Sequence, residues 1–86
     1  MKKLLSAPEF GKIVVEDTDS HEISFQCTCG QMAMYERRIV LADDEVAEWR
    51  EGSLDLSRLM IQICREDPLV AHRVVPAFRF ADIVGF

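Results

Sequence analysis

The most regular stretch of the chain runs from Ile23 to Thr28, where Ile23, Phe25 and Cys27 alternate with Ser24, Gln26 and Thr28. A period of two puts successive side chains on opposite faces of a pleated backbone, so this segment, starting from Glu22, reads as a half-buried strand with one apolar and one polar face. Upstream, Phe10 to Glu16 is apolar and β-branched at its centre (Ile13, Val14, Val15) and reads as a further strand. Between the two lie Asp17, Thr18, Asp19 and Ser20, residues that hydrogen-bond their own backbone in turns. Downstream, Gly30 can take a positive φ, and a two-residue Cys29-Gly30 loop returns the chain through Gln31 to Leu41 as the second arm of a hairpin. That register sets Cys27 against Met32, Phe25 against Met34 and Glu22 against Arg37. It also leaves Ile23 facing Glu36, a mismatch that requires a bulge or slip near Arg37 and Arg38.

After Leu41 the period lengthens. Asp43, Asp44 and Glu45 place carboxylates where a helix start has unpaired N–H groups and partial positive charge, and Gly52 suits the residue just past a helix end. A helix over about 43–51 follows, with Val46 and Trp49 as its apolar contribution and Asp44, Glu48 and Glu51 on another face. Ser53 is placed to cap a second helix, in which Leu56, Leu59, Met60 and Ile63 recur at helical spacing beside Cys64, and Asp67-Pro68 ends it. Val74 and Val75 favour a strand, which Pro76 confines to a sheet edge because proline donates no ladder hydrogen bond. Phe78, Phe80, Ile83, Val84 and Phe86 are too apolar for a loose tail and are expected either to close the core or to form an oligomer interface. The expectation is an α+β fold, an antiparallel β-meander of three to four strands with two helices packed on one face, forming a single domain over 1–86.

Charge sharpens this picture. The chain carries a net −5, and all of it falls between Asp43 and Asp55, where six carboxylates stand against Arg50 alone. Nucleic acid is excluded as a partner class, since phosphate neutralisation needs a basic footprint. No apolar run approaches the roughly 20 residues of a membrane span, and Ser6, Pro8 and Glu9 interrupt the stretch after Lys2 and Lys3 before a signal-peptide core can form. Together with three unspaced cysteines, read as reduced thiols, this places the protein in the cytoplasm.

The chemistry-bearing residues are few. Cys27-Thr28-Cys29-Gly30 has the form of half a zinc knuckle, but structural zinc takes four ligands, and only Cys64, His72 and His21 remain to complete the set. Cys27 also continues the apolar Ile23 and Phe25 face, where a free cysteine packs as a small hydrophobe, so no metal or other cofactor is assigned. A Cys27–Cys29 disulfide would be strained. No glycine-rich phosphate loop or nucleophile elbow occurs, and neither histidine has a flanking catalytic motif, so no catalytic residues are assigned and no enzyme is expected. The concentrated acid supplies the functional expectation. A protein partner with a basic surface would be bound by Asp44, Glu48, Glu51 and Asp55, with Trp49 as either a core residue or an anchor. Small acidic bacterial immunity proteins and antitoxins share this general character, although no motif ties the chain to them. The alternative is a self-associating homodimer with a small-molecule or metal site.

Overall fold

In the computed structural model, which describes residues 1–86, the alternation of Ile23 to Thr28 produces a strand buried on both faces. Ser24 and Gln26 on its polar side are 1% and 0% exposed, as deeply covered as Phe25 and Cys27 on the other. The strands are β1 (Lys2–Glu9), β2 (Lys12–Asp17), β3 (Ile23–Cys29), β4 (Tyr35–Val40), β5 (Val74–Val75) and β6 (Ile83–Val84). The helices are α1 (Asp43–Glu51), α2 (Leu56–Cys64) and the single turn α3 (Pro68–Ala71). All six strands join one sheet in the order β5-β4-β3-β2-β1-β6, antiparallel except where β6 runs parallel to β1.

The meander of three to four antiparallel strands therefore undercounts the sheet. Lys2–Glu9 carries the interrupted pattern Lys-Lys-Leu-Leu-Ser-Ala-Pro-Glu, which hides a strand, and its pairing with β2 shifts register twice between Leu4 and Glu9. Phe10 and Gly11 belong to the turn between β1 and β2, not to a strand, with Gly11 at φ 81°. The mixed character comes from the last residues, which reach the far edge of the sheet and pair Ile83 with Lys2 and Val84 with Lys3. Val74 and Val75 do form an edge strand, beside β4.

The hairpin register also differs from the one the sequence suggests. Cys27 faces Arg37, Phe25 faces Ile39 and Cys29 faces Tyr35, with residues 30–34 forming a five-residue loop. This slides β4 five places along β3 and removes the mismatch at Ile23, whose carbonyl now accepts from Leu41 N at 2.8 Å. Burial explains the choice: Ile39 and Leu41 pack into the core at 0% and 5% exposure, whereas Met32 and Met34 are left in the loop in solvent.

One face of the sheet carries the helices. Phe25, Cys27, Ile39 and Leu41 pack with Val46 and Trp49 of α1, Leu59 and Ile63 of α2 and Val70 of α3. Gly52 ends α1 in the left-handed region at φ 79°. The cap of α2 is Asp55, whose carboxylate accepts from Arg58 N at 3.0 Å, and not Ser53, whose hydroxyl donates to the Glu48 carbonyl. Asp67 and Pro68 lie beyond the end of α2 and start α3 as N-cap and first residue.

The opposite face is crossed by the C-terminal segment on its way from β5 at one edge to β6 at the other. Gln26 holds this strap the way a neighbouring strand would. Its Nε2 donates to the Phe78 carbonyl at 3.0 Å, and its Oε1 accepts from Phe78 N at 2.8 Å. Arg38 donates to the Pro76 carbonyl and to Ser24 Oγ, and its guanidinium lies 3.9 Å from the centre of the Phe78 ring. Ile13, Val15 and Ile83, flanked by Leu4 and Phe78, form a second small apolar cluster beneath it. Ile83 is thus a core residue and Phe78 is half-buried against its cluster, while Phe80, Val84 and Phe86 remain exposed. No helix is long and apolar enough to cross a membrane.

Candidate functional site

The acidic segment divides into two groups once folded. Glu45, in the first turn of α1, points back to the body of the protein. Its Oε1 accepts from Ala42 N at 2.8 Å, and the carboxylate pairs with Arg73, which also donates to the Val40 carbonyl. The Arg73 guanidinium and the Ala42 amide hold the Glu45 carboxyl below the ordinary range against the opposing effect of burial, and the same pair raises Arg73. Asp55 is exposed but committed to capping α2. Asp43, Asp44, Glu48 and Glu51 are exposed and take part in none of the ion pairs of the fold. Of these, Asp44, Glu48 and Glu51 recur at i, i+4 and i+7 and so line one face of α1. Trp49 is half-buried against the core cluster, with Val46. Of the five residues assigned to partner binding, three are therefore gathered on one solvent-facing stripe. The other two, Asp55 and Trp49, serve the scaffold.

A second surface gathers Phe80 and Phe86, which the sequence leaves between core and oligomer interface, with Phe10, which the sequence places in a strand. An open groove of about 750 Å³ lies between the β1–β2 turn, the β3–β4 loop and the C-terminus, lined by Phe10, Ile13, Met34, Tyr35, Phe80 and Phe86, with Thr28 and Glu36 among its polar groups. Phe10 and Phe86 are 86% and 68% exposed, which is unusual for side chains this apolar in a folded chain. Phe80 and Phe86 meet edge to face, with ring centres 5.6 Å apart. Glu36 accepts from the Thr28 hydroxyl, and Glu9 pairs with Lys12 at 2.6 Å. The available signal in the sequence was Phe10 directly before Gly11, an aromatic in a turn where nothing can cover it.

The third feature corrects the reading of three reduced thiols. Cys64, at the last turn of α2, is bonded to Cys29 at the end of β3, with Cα atoms 5.3 Å apart. Cys27 is a free and fully buried thiol, and the three sulfurs all lie within 4.8 Å of one another. Burial, reinforced by Glu36 and opposed by Arg37 and Lys12, pushes the Cys27 thiol up to about 11. The spacing Cys27-Thr28-Cys29 was visible in the sequence. The approach of Cys64 depends on how α2 docks on β3, which no local pattern encodes. The histidines stand apart from this cluster in the chain: His21 lies in the β2–β3 turn at φ 63°, and His72 Nδ1 lies 3.3 Å from the Pro68 carbonyl.

No protein-family model, curated protein or solved structure matches this chain.

Proposed function

We propose that the protein is a non-enzymatic interaction module that docks the outer face of α1 on a basic protein surface, in the manner of an immunity-protein or antitoxin-like inhibitor. The observation that carries this reading is the contrast within one helix. Glu45 is matched by Arg73, while Asp44, Glu48 and Glu51 form a single-sign stripe with no cation of the fold beside them in an ion pair. Such a stripe raises the encounter rate with a basic partner and disfavours acidic ones. Asp55 extends the acidic rim, and Trp49 supports the stripe from beneath. Cytoplasmic residence belongs to this proposal and requires a Cys29–Cys64 pair that cytosolic thiols can reduce. The test is affinity capture from a cell extract, comparing the wild type with Glu48→Lys/Glu51→Lys across a salt series. A basic protein retained by the wild type, released as salt rises and absent from the variant supports the reading. The same proteins retained equally by both baits would refute it.

A second reading is favoured by the exposed rings of Phe10, Phe80 and Phe86 around the groove. Two copies placed groove to groove would bury these rings in a homodimer. Sedimentation equilibrium of the wild type and of Phe80→Ser/Phe86→Ser separates this from the first reading. A dimer weakened only by the aromatic substitutions supports self-association, and a monomer at high micromolar concentration removes it.

A further inference from the structure

We infer that the cluster of Cys27, Cys29 and Cys64 is a redox-gated site for a thiophilic divalent cation of the zinc type. The three sulfurs come from two elements, β3 and the end of α2, and already lie within 4.8 Å of one another. A metal bound to three thiolates at about 2.3 Å needs sulfurs about 4 Å apart, by simple triangular geometry. The fold thus holds Cys27 at close to a ligand's distance from a pair that only has to open. Oxidised, the Cys29–Cys64 bond occupies two of the three donors and leaves Cys27 alone. Reduced, the same residues present three sulfurs converging from one side, the donor set that selects soft and borderline cations.

Charged groups surround the sulfurs. Cys27 stands opposite Lys12 on β2, whose ammonium pairs with Glu9, and opposite Arg37 on β4. Arg37 is fixed there by its bonds to the Ile63 carbonyl and to Glu66. A groove of about 260 Å³, lined by Thr28, Gly30, Met60 and Arg65, opens onto Cys29 and Cys64. It gives the ion a path from solvent and leaves a fourth coordination position to water or a small thiol. The chemistry balances with a small-molecule thiol as the co-reactant. Two such thiols together give up two electrons and two protons, joining as a disulfide while Cys29–Cys64 becomes two thiols. The three thiols of the chain then release three protons on taking up one divalent cation, leaving the site with a single negative charge.

The experiment uses the full chain. The protein is reduced with a tertiary phosphine, which takes an oxygen from water to become its oxide while the two protons pass to the sulfurs. It is then titrated with Co(II) as a spectroscopic probe and with Zn(II) as competitor. The expected result is one Co(II) per reduced chain with thiolate-to-metal charge-transfer absorption, displaced by Zn(II), and no such band in the oxidised protein. Cys27→Ala should weaken binding by more than the roughly 10- to 100-fold that loss of a mere supporting residue costs. Reduced wild type that takes up no Co(II), oxidised protein that takes up as much, or Cys27→Ala that binds as tightly overturns the inference. X-ray absorption on the Zn(II)-loaded wild type decides the matter should the variant fail to fold: three sulfur neighbours uphold the site, and two or fewer refute it.

Discussion

At Gly30 the backbone takes φ 91°, and a Cβ there would run into the Ala33 carbonyl oxygen. The five-residue β3–β4 loop closes on that contact, so Gly30→Ala combines an unfavourable angle with a clash against backbone. Gly52 provides the control, because it too has a positive φ of 79°, yet a Cβ there meets nothing within 4 Å. Gly52→Ala should cost about 1 kcal/mol and Gly30→Ala about 2–3 kcal/mol, read as shifts of the urea midpoint at constant slope. Equal costs would show that the loop relaxes freely. Glu45 makes a prediction in pH. Its carboxyl is held below the ordinary value of 4.5, chiefly by Arg73. A depressed folded value contributes stability that is fully present above pH 4.5 and is lost as pH falls through the folded value. Glu45→Gln should therefore be less stable than wild type near neutrality by about 1–2 kcal/mol, with the gap closing in acid. A gap that stays constant down to pH 3 would show that the ion pair contributes nothing that titrates.

Among the elements, the C-terminal strap is where local pattern and tertiary outcome part. The alternation of β3 was legible, and so were α1, the face of α2 that packs on the sheet and the edge position of β5. The same alternation implies that Ser24 and Gln26 face water, because period-two patterning reports polarity and cannot report that a distant segment will cover the polar side. Gln26 is polar for a different reason: it supplies, from a side chain, the donor and acceptor that Phe78 would otherwise lack. The acidic stripe of α1 was equally legible as charge, but the withdrawal of Glu45 by Arg73 joins residues 28 positions apart and leaves no local signal. Gln26→Leu tests the strap. It keeps the bulk and leaves the Phe78 N–H and carbonyl unpaired, at about 1–3 kcal/mol. Residues 76–86 should then become the first site of limited proteolysis, with β2–β4 amide protection retained. Proteolysis of the strap at the wild-type rate would mean that Arg38 and the apolar cluster around Ile83 hold it without Gln26.

For the whole molecule, the Cys29–Cys64 bond is the strongest constraint between the sheet and the helical layer, and it separates stability from the proposed docking. It spans 35 residues of sequence, for which chain-entropy arguments give about 4 kcal/mol of stabilisation. A domain of this size has roughly 5–15 kcal/mol in total, so the reduced protein should remain folded but melt roughly 15–30 °C lower, with Cys29→Ser/Cys64→Ser reproducing the shift. An unchanged melting temperature after verified reduction would mean that Leu59, Ile63 and Val70 already fix α2 and α3 on the sheet. The α1 stripe follows different rules. Its helix is positioned by the Glu45–Arg73 pair and by Val46 and Trp49 against the core, and none of these passes through the disulfide. If the proposed docking holds, reduced protein below its own melting temperature should bind the basic partner as tightly as oxidised protein does, while Arg73→Ala should weaken that binding without touching any residue of the stripe. Loss of affinity on reduction with Arg73→Ala silent would show that the docking face is set from α2 rather than from the start of α1.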